Sequence, residues 1–359
     1  MAQAAFNRSG MTRGRRALGP TYAAVDLGSN NCRLLVAEPS PRGFRVVDAF
    51  SRIVRLGEGV AASGALSEDA IARTIDALGV CASKIRRHRT LRARHVATEA
   101  CRKAANCRYF VDRVEAATGL RLEIISVAEE ARLAIAGCAP LLDRRVPNAL
   151  IIDIGGGSSE VIWRHGTAGR GGAEVGILSL PLGVVSFTEK FGGDHFTLEL
   201  YEAMVDEVHA RLAPFEAEHG IAEAARAGTV QMVGTSGTVT TLASVHLGLR
   251  RYVRSRVDGC TIRFADIARI SRELAALDFA GRARIGCIGP ERADLVVAGA
   301  AILEAICRKW PVGRMRVADR GLREGILLGL MAQDGHGARP LGAPPCAPKP
   351  VADGPRVAL

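Results

Sequence analysis

Two stretches decide how this chain folds: Ala24-Val25-Asp26-Leu27-Gly28-Ser29 and Ile151-Ile152-Asp153-Ile154-Gly155-Gly156. Each runs an apolar segment into an Asp, one more apolar residue and a glycine. A second apolar segment follows each turn, at 33–38 after Gly28-Ser29-Asn30-Asn31 and at 160–164 after Gly155-Gly156-Gly157-Ser158-Ser159. Apolar runs separated by Gly, Asn and Ser are a β-hairpin signal. Asp153 follows Asp26 by 127 residues, about one domain length. Self-similarity at that spacing predicts two related halves, each offering a carboxylate beside a tight glycine turn.

Around the first copy, residues 22–26, 33–38, 44–50 and 51–55 read as β-segments. Ser67-Glu68-Asp69-Ala70 then sets a hydroxyl cap before an acidic first turn, and Ala70, Ile71, Ile75 and Leu78 recur at helical spacing. Residues 95–98 and 122–126 are strand candidates, and 106–118 and 129–136 helix candidates. This β-β-β-α-β-α-β order predicts a mixed sheet carrying helices. Around the second copy the strands are expected at 148–153 and 160–164, with a helix over 239–244. Residues 1–20 read as a flexible basic arm, and the Pro/Gly-rich 334–359 as a disordered tail.

Composition bounds the function. The 359 residues hold 48 Lys+Arg against 37 Asp+Glu, a net charge of +11, with 48% hydrophobic and 24% charged residues. These values suit a soluble globular protein of about two domains, and exclude collagen-like, coiled-coil and wholly disordered chains. No run approaches the roughly 18 apolar residues of a membrane span, and the basic first 20 residues lack the apolar core of a secretory signal. Nine cysteines without a C-x-x-C pair read as reduced thiols of a cytoplasmic protein, used as small hydrophobes. The eight His show no transition-metal ligand spacing. The positive surplus favours a polyanionic partner without naming it.

Three loops could hold phosphate. Gly28-Ser29-Asn30-Asn31 combines backbone freedom with side-chain donors, and the neighbouring Asp26 could hold a divalent cation directly or through water. Gly155-Gly156-Gly157-Ser158-Ser159, beside Asp153 and Glu160, is a stronger signal, because three consecutive glycines are entropically costly for a plain hairpin. Gly234-Thr235-Ser236-Gly237-Thr238 stands between an apolar run and a helix, where backbone amides form an anion site. Hydrolysis also needs a group to orient water. Glu129 and Glu130 open a helix, although carboxylates favour helix N-termini for electrostatic reasons alone. Arg102 and Lys103 are placed to meet an anion if strand 95–98 ends beside the Asp26 loop.

The segments AAVDLGSNNCRLL, ATEACRKAAN, EIISVAEEARL, LIIDIGGGSSEVI, VGTSGT and ADRGLREGILLG, in this order, resemble the exopolyphosphatase/guanosine-pentaphosphate phosphohydrolase (Ppx/GppA) family. The likeness spans nearly all of 21–333. It implies an α/β fold of two RNase-H-like (actin-like ATPase) domains, at 21–140 and 141–318, with an active-site cleft between them. It also implies that a helix within 319–333 packs back on the first domain. By the likeness Glu130 is the catalytic carboxylate, and Asp26, Asp153 and Glu160 hold magnesium (or manganese) or orient water. Gly28, Ser29, Asn30, Asn31, Gly155, Gly156, Gly157, Ser158, Ser159, Gly234, Thr235, Ser236, Gly237 and Thr238 match phosphate loops, and Arg102 a substrate contact. The implied activity is release of orthophosphate from the end of polyphosphate, with guanosine pentaphosphate as the alternative substrate. A homodimer is implied, with no membrane and no specific nucleic-acid partner.

Three places depart from the family pattern: Asn31 replaces a hydroxyl residue, Glu99 a small or polar uncharged one, and Val127-Ala128 a glycine followed by a polar or acidic residue. Rival readings keep the cleft but transfer phosphate to an acceptor such as ADP, or use it only as a sensor. Retention of Asp26, Glu130, Asp153 and Glu160 argues against the sensor.

Overall fold

Strand β1 (Tyr22–Leu27) turns at residues 28–30 into β2 (Asn31–Ser40), which is followed by β3 (Gly43–Ile53). The computed structural model describes residues 19–41, 43–166, 174–192 and 195–336. β4 (Arg92–Ala97) and the two-residue β5 (Glu123–Ile124) complete a sheet of order β3-β2-β1-β4-β5. The second sheet contains β6 (Asn148–Ile154), β7 (Ser159–His165), β8 (Glu174–Leu180), β9 (Val230–Thr235), β10 (Thr261–Arg263) and β11 (Arg314–Val317), in the order β10-β11-β9-β6-β7-β8.

The two sheets repeat one plan. β1 pairs antiparallel with β2 and parallel with β4, as β6 pairs antiparallel with β7 and parallel with β9. β10 is an added antiparallel edge. The duplicated Asp-Gly segments therefore mark equivalent central strands. Their apolar runs suit them to that place, since a central strand of a sheet covered on both sides is buried on both faces. Asp26 and Asp153 both fall near the carboxyl ends of these strands, where open α/β sheets bind ligands.

Helix Glu68–Arg87 begins where the capping signal places it: the Ser67 hydroxyl accepts the Ala70 N–H at 3.3 Å, and Ala70, Ile71, Ala77 and Leu78 are buried. Ile75 lies at the edge of that stripe and is only partly buried. Other boundaries differ from expectation. The segments 44–50 and 51–55 are mostly one strand, β3, whose register against β2 shifts once at Val36/Ala37. The strand expected at 122–126 shrinks to β5, and Val127-Ala128 are already the first turn of helix Val127–Cys138. There the Ser126 hydroxyl accepts the Glu129 N–H at 3.2 Å.

That helix is wedged between the sheets. Ala131, Ala134 and Cys138 pack on Ile151, Ile162 and Val233 of the second sheet. Leu133 joins Tyr22, Ala24 and Val96 of the first, together with Leu322, Ile326, Leu327, Leu330 and Met331 of the last helix, Leu322–Gln333. The last helix thus lies on the first sheet although it follows the second. Contact between the two helices is close: a Cβ on Gly137 would collide with the Gly321 carbonyl, and one on Gly325 with that of Leu133.

Residues 1–18 and 337–359 of the expected arm and tail lie outside the described residues. The first residues of the expected tail are tied down. The Tyr22 hydroxyl donates to Asp334 at 2.9 Å, Arg92 pairs with Asp334 at 3.0 Å, and His336 stands edge-on to Tyr22. Among the described residues no helix is long and apolar enough to cross a membrane.

Candidate active site

The hairpin turns after β1 and β6 have the same internal geometry. The Gly28 N–H donates to the Asn31 carbonyl and the Gly155 N–H to the Ser158 carbonyl, both at 2.9 Å. They meet face to face. A Cβ added to Gly156 would stand 2.8 Å from the Asn30 nitrogen, and one on Gly157 would stand 2.6 Å from the Ser29 hydroxyl. Only glycine permits that approach, which is the structural reason for the triple glycine. The open cleft they floor measures about 820 Å³, open solvent included.

Seven acidic residues line it: Glu99, Asp319 and Glu324, each paired with a basic side chain, and the four singled out from the sequence, Asp26, Glu130, Asp153 and Glu160. Burial pushes Asp26 up from its ordinary range. Burial, then the charge of Asp26, raises Asp153 to about 6, against a hydrogen bond from Ser236. Glu160 lies opposite Asp153 in the β6–β7 register and is raised well above normal by burial, then by Glu130 and Asp153. One of its oxygens accepts from the Ser158 hydroxyl at 2.7 Å and the Ser179 hydroxyl at 3.0 Å, which aims the other oxygen elsewhere. Burial lifts Glu130 to about 7, against the pull of the Arg102 guanidinium, whose Nη1 donates to it at 2.8 Å. A carboxyl near neutrality can exchange protons at working pH, the property a general base needs.

Opposing charge comes from arginines. Arg33 occupies in the first hairpin the place that Glu160 has in the second, directly across from Asp26. Neither Arg33 nor Arg323, at the start of the last helix, forms a hydrogen bond or ion pair among the described residues, and both line the cleft. Burial lowers the pKa of Arg33, with Arg323 adding repulsion. Two unpaired guanidiniums beside amide-rich turns are suited to bind a polyanion. Ser29 Oγ and the Oδ1 atoms of Asn30 and Asn31 are likewise buried without partners, as expected where a ligand or bound water completes the polar contacts.

The third loop adds strain. Ser236 has φ +77°, a left-handed conformation costing a non-glycine residue roughly 1–2 kcal/mol, and from there it donates to Asp153. Helix Ser236–His246 follows directly. A smaller cavity of about 460 Å³ adjoins the cleft, lined by Gly237, Thr238 and Arg292 with apolar Ile154, Val184, Leu295 and Val296.

Of the sequence-derived set, Asp26, Gly28, Ser29, Asn30, Asn31, Glu130, Asp153, Gly155, Gly156, Gly157, Ser158, Glu160, Thr235 and Ser236 line the cleft, and Gly237 and Thr238 the side cavity. Three residues do not. The Ser159 hydroxyl is spent on the Leu182 carbonyl at 2.7 Å, Gly234 is packed against Met315, and Arg102 stands behind Glu99 and Glu130 rather than in the cleft. Thr235, although in the lining, gives its hydroxyl to the Arg320 carbonyl. Sequence reasoning missed Arg33, Arg292, Arg323 and Ser179. The signal for Arg33 was available in the internal repeat, which aligns it with Glu160.

Residues 35–334 match the Ppx/GppA phosphatase family. The chain is 31% identical over 326 residues to exopolyphosphatase 2 of Mycobacterium tuberculosis, covering 86% of this chain and 98% of that one. It is 28% identical over 326 residues to a guanosine-5'-triphosphate,3'-diphosphate pyrophosphatase of Photobacterium profundum, covering 90% of this chain but 61% of that longer protein. Among solved structures, the Aquifex aeolicus Ppx/GppA family member superposes with a TM-score of 0.71 at 28% identity, over 89% of this chain and 99% of its own. An exopolyphosphatase from Cytophaga hutchinsonii shares the fold with a TM-score of 0.77 at 23% identity, over 87% of this chain and 98% of its own.

Proposed function

The chain belongs to the Ppx/GppA phosphatase family, and from that premise we propose that it is an exopolyphosphatase that hydrolyses the terminal phosphoanhydride of inorganic polyphosphate. The observation that carries the reading is the pairing, in one cleft, of a carboxyl raised to about 7 with unpaired arginines and two glycine turns. Glu130 takes a proton from water as the water oxygen bonds to the terminal phosphorus. The bridging P–O bond breaks, orthophosphate departs, and the shortened chain keeps the bridging oxygen. Arg33, Arg323 and the turn amides offset the charge on the phosphoryl oxygens, the largest share of catalysis in phosphoryl transfer.

Magnesium, or manganese, belongs to the proposal. Asp26, Asp153 and Glu160 fit a divalent cation because each is raised by burial, which a counter-ion would relieve. Among the described residues no three His, Cys, Asp or Glu side chains are grouped to cage an ion. These carboxylates would hold the cation directly or through water. It would supply charge neutralisation on the phosphate chain. A cytoplasmic homodimer completes the proposal, on the strength of the family likeness and the reduced-thiol composition.

Guanosine pentaphosphate is the second reading, favoured by the side cavity, whose apolar walls and Arg292 suit a nucleoside with its inner phosphates. Comparing kcat/KM for orthophosphate release from long polyphosphate and from guanosine pentaphosphate decides between them. Glu130→Gln should retain substrate binding and lose about 10²–10⁴-fold in turnover. Normal turnover of a folded variant would remove Glu130 from the mechanism.

A further inference from the structure

Glu99 is out of place in a polyanion site. Its carboxylate belongs to the cleft wall, only 12% of its side chain is exposed, and a Cβ on Gly157 would come within 3.3 Å of its Cγ. A negative charge against a phosphate-cradling turn opposes the ligand that the turn is built to hold.

Its partners give it a use. Arg102 Nε and Nη2 both donate to one Glu99 oxygen, at 3.1 and 2.8 Å, and Lys103 Nζ pairs with the other at 2.8 Å. The remaining Arg102 nitrogen, Nη1, donates to Glu130 at 2.8 Å and to the Ile125 carbonyl at 3.0 Å. Every nitrogen of that guanidinium is therefore committed, and Arg102 is absent from the cleft lining. Burial works against ionisation of Glu99, yet the bonds from Lys103 and Arg102 hold its carboxyl below the ordinary range, so it is charged. The four groups Glu99, Glu130, Arg102 and Lys103 sum to zero charge when all are ionised. Without Glu99 they would present one net positive charge.

We propose that Glu99 is a positioning and affinity-setting residue: it withdraws Arg102 and Lys103 from the phosphate chain and fixes Arg102 as a support for Glu130. The proposal rests on the reading of the cleft as a phosphate-chain site. Its consequence is that substrate binds more weakly than the arginine content of the cleft would allow, in exchange for a fixed base. Removing one negative charge about 8 Å from a bound phosphate, at an effective dielectric of about 40, changes affinity about five-fold.

The test uses tripolyphosphate binding by calorimetry, without turnover, beside steady-state kinetics on polyphosphate. Glu99→Gln should lower the Kd for tripolyphosphate about five-fold at low salt, with the gain fading as ionic strength rises. Glu99→Gln with Lys103→Gln should return Kd towards the original value, because the net charge is restored. Glu99→Ala, which loses the acceptor for Arg102 altogether, should also lower kcat, and more than Glu99→Gln does. An unchanged or raised Kd in a Glu99→Gln protein of native melting temperature overturns the proposal. So does a double variant that binds as tightly as the single one. If the unsubstituted protein binds tripolyphosphate but releases orthophosphate from neither substrate, the hydrolase reading falls while the Kd ratio still decides the role of Glu99.

Discussion

Arg102→Gln tests the logic of the catalytic carboxyl. The Arg102 Nη1 to Glu130 distance is 2.8 Å, and both side chains are well shielded, at 16% and 15% exposed. For charges about 4 Å apart the attraction is about 4 kcal/mol at an effective dielectric of about 20. Arg102 shares its charge with Glu99, and Gln can still donate one hydrogen bond, so about half of that is lost. At 1.36 kcal/mol per pKa unit, the Glu130 carboxyl should rise by about 1–2 units. It starts at about 7, raised by burial and held back by Arg102. A general base works ionised, so activity is lost as pH falls through its pKa. The acid limb of kcat should therefore move upward by about 1–2 pH units, and the rate near pH 7 should fall about tenfold or more. At higher pH the rate should recover to within a few-fold. Initial rates of phosphate release, measured from about pH 5 to about pH 10 for both proteins, read this directly. A uniform loss of rate at every pH, with the limb unmoved, would refute the electrostatic account of Arg102.

The other expectations concern binding and stability. Arg33→Gln and Arg323→Gln should each lower kcat/KM for polyphosphate about tenfold or more, with kcat falling as well as binding, since each guanidinium offsets charge that builds on the phosphoryl oxygens; isothermal titration with tripolyphosphate separates the binding part. Asp26, Asp153 and Glu160 are raised in the folded state, so the stability they contribute is present at low pH and lost as pH rises through their folded values. The melting temperature gained on adding magnesium to chelated protein should consequently be larger near pH 8 than near pH 5. An increment independent of pH would argue against these carboxylates as the cation site. Gly137→Ala should destabilise by about 1–3 kcal/mol in urea unfolding, because its methyl group meets the Gly321 carbonyl. It should also lower activity, as the displaced segment leads into Arg323.

Much of this protein is legible in the chain itself. The duplicated Asp-Gly hairpins, 127 residues apart, prefigure two sheets of one topology, because strand alternation and glycine turns are local chemistry. The Ser67 cap and the carboxylates Asp26 and Asp153 are readable for the same reason, whereas Glu130 and Glu160 were singled out through the family likeness. Boundaries were less so: β5 is two residues long where five were expected, since its length depends on pairing with β4 and not on its own composition. What only the tertiary structure decided is which charges are free. Arg102 and Arg33 look alike in sequence, yet Arg102 is consumed by Glu99 and Glu130 while Arg33 faces the cleft unpaired. The return of helix Leu322–Gln333 to the first sheet, which brings Arg323 into the site, is equally invisible locally. Backbone periodicity is set by neighbours along the chain. The pairing of a long charged side chain is set by whichever partner the fold brings within about 3 Å, and that partner can lie hundreds of residues away.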